Sequence, residues 1–174
     1  MPRGELVMRT RAIALALLLA ATPAPGWAQF NLAAVLTNQP HQSTTPADVD
    51  GLILRVKPQT GYAFHFYVVV SANATTEAIQ LSLRCPAAVL DIAYTVVSWT
   101  SATAINTTAQ TACDSFPALT SSQGNVARVY EIFGRLVNGA NAGHLAVRVR
   151  AETGGANTVT VQRGSWGLWH VRKP

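Results

Sequence analysis

Apolar and polar residues alternate with a period of two along most of this chain, which is the signature of half-buried strands. The pattern is clearest from Tyr130 to Val171. There Leu145, Val147, Val149 and Ala151 alternate with Ala146, Arg148, Arg150 and Glu152, predicting a buried face and a face mostly in water. Four strands are expected in this stretch, near residues 127–137, 144–151, 158–163 and 166–171. Asn138-Gly139 and Gly154-Gly155-Ala156-Asn157 are read as the positive-φ positions of tight hairpins between them.

Upstream, Leu52, Leu54 and Val56 alternate with Ile53, Arg55 and Lys57, and Pro58-Gln59-Thr60-Gly61 then makes a turn. Tyr62 to Val70 is a long aromatic and β-branched strand. Its two rows, Phe64/Phe66/Val68/Val70 and Ala63/His65/Tyr67/Val69, are both largely apolar. That strand is expected to be central, with a subunit or a loop over its second face. Ile79, Leu81 and Leu83 mark another strand, closed by Cys85-Pro86, and Val89 to Thr100 the next. Residues 101–125 are ambiguous, with a strand near 103–111 and a loop carrying Phe116 and Leu119. No amphipathic helix of useful length is visible after residue 28.

These elements predict an all-β fold, an antiparallel β-sandwich of about eight strands. One long internal connection favours a jelly-roll-like arrangement over residues 51–174, with residues 29–50 as an extended N-terminal arm or edge segment. An immunoglobulin-type sandwich is the second choice, since Cys85, Trp99 and Cys113 echo its Cys…Trp…Cys order. The two cysteines are too close in sequence for its usual bridge between distant strands.

The first 28 residues read differently. Arg3, Arg9 and Arg11 precede an apolar run from Ala12 to Ala21 and a small-residue exit ending at Ala28. This predicts a signal peptide over 1–28, forming a signal helix and cleaved after about Ala28; an uncleaved anchor is the alternative. The apolar run falls short of the roughly 20 residues that span a bilayer. The expected product is secreted or periplasmic, with no membrane association after cleavage. The whole chain carries +5, and the leader takes three of 13 basic and one of eight acidic residues, leaving 10 against 7 and a net of +3. With neither a basic stripe nor a recognition helix, that excess points to no nucleic-acid partner. Cys85 and Cys113 are the only cysteines. In an exported chain they predict a disulfide worth about 3–4 kcal/mol, and in a reducing compartment two buried thiols.

Chemistry-bearing residues are scattered. His41, His65, His144 and His170 form no pair at metal-ligand spacing, and no cofactor motif is present. No serine stands in a nucleophile elbow, so no nucleophile, base and orienting group can be named and no enzyme is expected. Asp48 and Asp50 could donate to calcium, although a solvated loop before the first strand is the plainer reading. Glycoside hydrolysis needs two carboxylates across a cleft, and nothing points to a pair such as Glu131 with Asp91. Asn73-Ala74-Thr75 and Asn106-Thr107-Thr108 are glycosylation acceptors only in a host with that machinery. The aromatic residues say more. Trp166 and Trp169 fall on opposite faces of the last strand, so at most one is core. The other, with His65 and Tyr67, is a candidate interface or ligand contact.

The run from Thr44 to Ala87 resembles the first half of a β-sandwich domain of bacteriophage tail and other virion structural proteins. The matching pieces are Gly61-Tyr62-Ala63-Phe64-His65-Phe66, Ala72-Asn73-Ala74-Thr75-Thr76 and Cys85-Pro86-Ala87. The second half is similar through Glu131-Ile132-Phe133-Gly134, Gly143-His144-Leu145-Ala146-Val147-Arg148 and Asn157-Thr158-Val159-Thr160-Val161-Gln162-Arg163-Gly164-Ser165. The resemblance covers residues 44–171 and implies a compact module that packs into oligomers or presents a binding surface. It carries no catalytic residues. The chain departs from the family in having cysteine at position 85, where glycine is expected, and a signal-like leader in place of a tail or capsid segment. Both departures suit an exported, oxidising setting. The expected function is assembly or surface binding without catalysis, as a homo-oligomer (a trimer among the possibilities), virion-associated if phage-encoded. The alternative is a secreted carbohydrate-binding or adhesin module that uses exposed aromatics on a glycan or cell-surface ligand.

Overall fold

The computed structural model describes residues 30–99, 105–117, 124–153 and 155–172, and the leader, Leu119 and Lys173 lie outside them. Every regular element in the described residues is a strand. In chain order these are β1 (Asn31–Ala34), β2 (Gln39–His41), β3 (Ala47–Val56), β4 (Gly61–Ala72), β5 (Ile79–Arg84) and β6 (Val89–Trp99). They continue with β7 (Ile105–Gln110), β8 (Arg128–Asn138), β9 (Gly143–Ala151), β10 (Val159–Val161) and β11 (Trp166–Arg172).

Two antiparallel sheets form a sandwich. The large sheet runs β1-β11-β4-β8-β6-β7, with β10 beside β4 and β2 beside β10; the small sheet is β3-β9-β5. β10 and β11 share one edge of β4, so they are one strand interrupted by residues 162–165. β1 and β2 likewise form one broken strand along the large-sheet edge. Counting each broken strand once leaves nine, and β1 and β2 form in the segment expected to be an extended arm. The interleaving is that of a jelly roll: β9 enters between β3 and β5, as β10/β11 enters between β2/β1 and β4. The departure from an eight-stranded roll lies in β6 and β7, which both extend the large sheet.

The core follows the alternation. Phe64, Phe66, Val68 and Val70 of β4 face Leu52, Leu54 and Val56 of β3, Leu81 and Leu83 of β5, and Leu145, Val147 and Val149 of β9. Ile132 and Leu136 of β8 and Val159 and Val161 of β10 complete it. Val35 and Val49, from the segment read in sequence as an arm, are buried in the same core.

Several connections differ from the tight hairpins expected. β8 to β9 and β9 to β10 cross between sheets. Gly139 is not at positive φ. It is small because a Cβ there would lie 2.3 Å from the Ala88 carbonyl oxygen, to which its N–H donates at 2.8 Å. Asn138, fully buried beside it, donates from Nδ2 to the carbonyls of Lys57 and Asn141, at 2.8 and 2.7 Å. One side chain thus ties the β3–β4 and β8–β9 crossovers together. Gly155 does take the positive φ expected of its turn, +73°.

At the opposite end, buried Glu77 holds two crossovers. Its carboxylate accepts from the N–H groups of Glu152 and Thr153, the Thr153 hydroxyl and the Asn157 amide. Asn73 adds a second tie between the same segments: Thr158 N–H donates to its Oδ1 at 2.7 Å. Burial pushes the Glu77 carboxyl up, but the hydrogen bonds from Thr153, Asn157 and Glu152 outweigh it and hold the group below its ordinary value.

The outer face of the small sheet is not in water as the alternation suggested. Ala146 and Ser82 are fully buried there, and Arg148 and Arg150 are half-buried. Residues 111–117 cross from β7 to this sheet. Cys113 is bonded to Cys85, Asp114 N–H donates to Leu83 O at 2.8 Å, and Asp114 Oδ1 accepts from Arg148 at 2.6 Å. Phe116 lies under the Arg150 guanidinium, 4.4 Å from carbon to ring centroid. Asp48, expected on a loop with Asp50, is within β3 and neutralised by Arg84 at 2.6 Å and Arg148 at 3.2 Å.

Two stability outcomes follow. Replacing both Cys85 and Cys113 with serine should lower unfolding free energy by about 3–4 kcal/mol, from the entropy regained by the opened 28-residue loop. Urea denaturation of oxidised wild type against the double variant measures this. Glu77 has a folded pKa below its unfolded one, so its contribution is complete above the unfolded value and vanishes as pH falls through the folded value. Glu77→Gln should flatten this part of the acid limb and lose about 1–3 kcal/mol at neutral pH, because an amide cannot accept from every donor around it. Unfolding free energy against pH from 2 to 7 reads both effects.

Candidate functional site on the outer face of the large sheet

Five strands of the large sheet bring their outward positions into rows. One row is Trp166, Tyr67, Glu131, Val97 and Thr107; the next is Leu168, His65, Phe133, Thr95 and Ala109. A third holds His170, Ala63, Arg135 and Ala93, and a fourth Arg172, Gly61, Val137 and Asp91.

The placement of Trp166 depends on the break in the last strand. Between the pairs Val161–Val70 and Trp166–Tyr67, this strand uses five residues where β4 uses three. Two residues are bulged out, which keeps the inward and outward parity intact. Gly164 takes φ +86° in the bulge, and buried Ser165 replaces the missing ladder bonds. Its hydroxyl accepts from Val69 N–H at 3.0 Å and donates to Gln162 O at 2.8 Å. Past the bulge, Gly167 lies over the Phe66 ring, where a Cβ would come within 2.5 Å of Cδ1. The backbone therefore lies flat on the core, and its neighbours carry the aromatic groups.

Three of the four aromatic or histidine residues expected as contacts meet on this face. Tyr67 and Trp166 stack, with centroids 5.5 Å apart and an interplanar angle of 7°. His65 stands edge-on to Trp166 at 5.4 Å and to Phe133 at 6.0 Å. Its Nε2 is 2.9 Å from Glu131 Oε2. Trp169 is on the other face, partly buried against the core and paired in register with Phe64. The opposite-face expectation holds for the two tryptophans. Neither is exposed, because Trp166 is covered by neighbours in its own sheet.

Sequence reading missed Glu131 and Phe133 as members of this cluster. Only the β4–β8 register, Tyr67 to Glu131 and His65 to Phe133, reveals it. Other large exposed apolar side chains on or beside the face include Leu32, Trp99 and Ile105, on β1, β6 and β7, and Phe30, edge-on to His170. Asp91 pairs with Arg135 at 3.2 Å and Glu131 with His65, so these acids do not confront each other across a cleft. Among the described residues, no three His, Cys, Asp or Glu side chains gather where they could hold a metal ion. The patch can pack against an apolar surface and supply one hydrogen-bonding seam, His65–Glu131.

Comparison with protein-family models gave no match, and comparison with curated proteins gave no significant similarity.

Stacking on this face should be measurable as coupling. A double-mutant cycle of Tyr67→Ala and Trp166→Ala is expected to give an interaction free energy of about 1 kcal/mol in chemical denaturation. Additive single losses would mean that the rings contribute only their separate burial.

Proposed function

We propose that this chain is an exported, non-enzymatic jelly-roll module that works by assembly, with copies packing through the outer face of the large sheet. The contrast between the two outer faces carries the reading. The small sheet's is closed by its own chain through a disulfide, ion pairs and a cation–π contact. The large sheet's presents an aromatic cluster flanked by Leu32, Phe133, Trp99 and Ile105, with Phe133 43% exposed. Apolar patches of this kind on a soluble sandwich mark protein contacts.

Trp166 is engaged by Tyr67 and His65, which favours packing over a free sugar-stacking platform. The disulfide is more typical of extracellular or periplasmic proteins, which supports export. The resemblance to virion sandwich domains supports assembly as the mode of action.

Light scattering on the protein lacking residues 1–28 is expected to give a closed homo-oligomer, a trimer or dimer. Phe133→Glu should yield monomers with an unchanged circular-dichroism spectrum. A wild-type monomer at hundreds of micromolar, or an oligomer indifferent to this charge, would overturn the reading.

A further inference from the structure

Beyond the aromatic rows, the outer face changes character. Arg135 on β8 and Arg172 at the end of β11 stand on either side of β4. Their backbones are two strands and one residue pair apart, about 12 Å. Between them the positions are Gly61 and Ala63, too small to fill the space. Two depressions of 260 and 360 Å³ are both lined by this same pair of arginines. They adjoin at those two side chains and are taken together as one groove; the larger alone is of the size at which ligand sites begin, about 300 Å³.

Its lining is mixed in a particular way. Gly61 and Val137 make an apolar floor, Phe133 an aromatic wall, and Gln59, Gln110, Thr95 and Thr111 supply neutral hydrogen-bonding groups. Arg172 has no ion-pair partner among the described residues. Arg135 has only Asp91, in a pair whose side chains are 61% and 47% exposed. An exposed pair of that kind contributes little and yields readily to a competing anion.

We propose that this groove binds a carboxylate-bearing saccharide. The carboxylate sits between the two guanidiniums, whose planar forks match it. The sugar's C–H face rests on the glycine and valine floor, and its hydroxyls meet the glutamine and threonine groups. A bare anion would leave the amides, hydroxyls and aromatic wall unused, and a neutral sugar would leave the Arg172 guanidinium without an acidic partner. The groove shares Phe133 with the aromatic cluster, so its tests use Arg135, Arg172 and Gly61, which lie outside that cluster.

The test is calorimetric or NMR titration of the mature, oxidised protein with trigalacturonate, with galactotriose and sodium sulfate as comparison probes. Trigalacturonate should bind, and more weakly as salt is raised. Arg135→Ala and Arg172→Ala should each weaken binding by about tenfold or more, as expected for loss of a charged hydrogen bond. Gly61→Ala keeps both arginines but places a Cβ 3.3 Å from Arg172 O, and should also weaken binding by narrowing the groove. Circular dichroism and light scattering on each variant should match wild type, separating loss of the site from loss of fold or assembly. Equal binding of galactotriose, sulfate binding as tightly as trigalacturonate, no binding at all, or indifference to both arginine substitutions would each overturn the proposal. None of these results bears on the oligomeric state, which the scattering reads separately.

Discussion

β4 carries two long apolar rows, and disposing of both is the constraint on which the rest of the molecule depends. Its inner row, Phe64, Phe66, Val68 and Val70, is buried and requires a second sheet above it. Residues 61–70 pair with β8 on one side, and β11 and β10 pair with 61–67 and 70–72 on the other, so both edges are occupied. The small sheet covers the inner row only because the chain crosses between layers at β2–β3, β3–β4, β4–β5, β5–β6, β8–β9 and β9–β10. Jelly-roll interleaving is the connectivity that these crossings produce.

A roll of this kind is held at its ends as much as in its core, since every crossover exposes backbone groups to be satisfied. Asn138 meets that need at one end and Glu77 at the other, each bridging two crossovers distant in sequence. The small sheet has a further need, because only three strands form it. Residues 111–117 supply part of what a fourth strand would give: one backbone bond to β5, a covalent bond through Cys113, and side chains that cover Arg148 and Arg150. The disulfide therefore fixes a cover on one outer face, and its absence would open that face to water.

The same division makes the two outer faces unlike. One outer face is closed by its own chain; the other is left with an aromatic cluster at its centre and two arginines at its margin. The first feature is the one proposed to meet a flat apolar partner and the second the one proposed to meet a small anionic ligand. The Gly164-Ser165 bulge decides where these features fall, because it sets Trp166 opposite Tyr67 and carries Arg172 to the end of β4.

Much of this was legible in the sequence. The alternation located β4, β5, β6, β8, β9 and β11 nearly to their observed ends, because side-chain period depends only on local backbone geometry. The leader lies outside the described residues and remains an expectation from sequence. Parity placed Trp166 and Trp169 on opposite faces for the same local reason. Long-range register was not legible. Only pairing of β4 with β8 shows that Glu131 and Phe133 complete the cluster around His65, and only the crossovers show that Gly139 serves a close approach to Ala88. Arg148 and Arg150 read as solvent-facing, yet they lie under a segment dozens of residues away. The sequence by itself determined which residues are strand and which face of each strand is apolar. Tertiary structure decided which apolar face meets the core, because that depends on which strands become neighbours, and no local period encodes it.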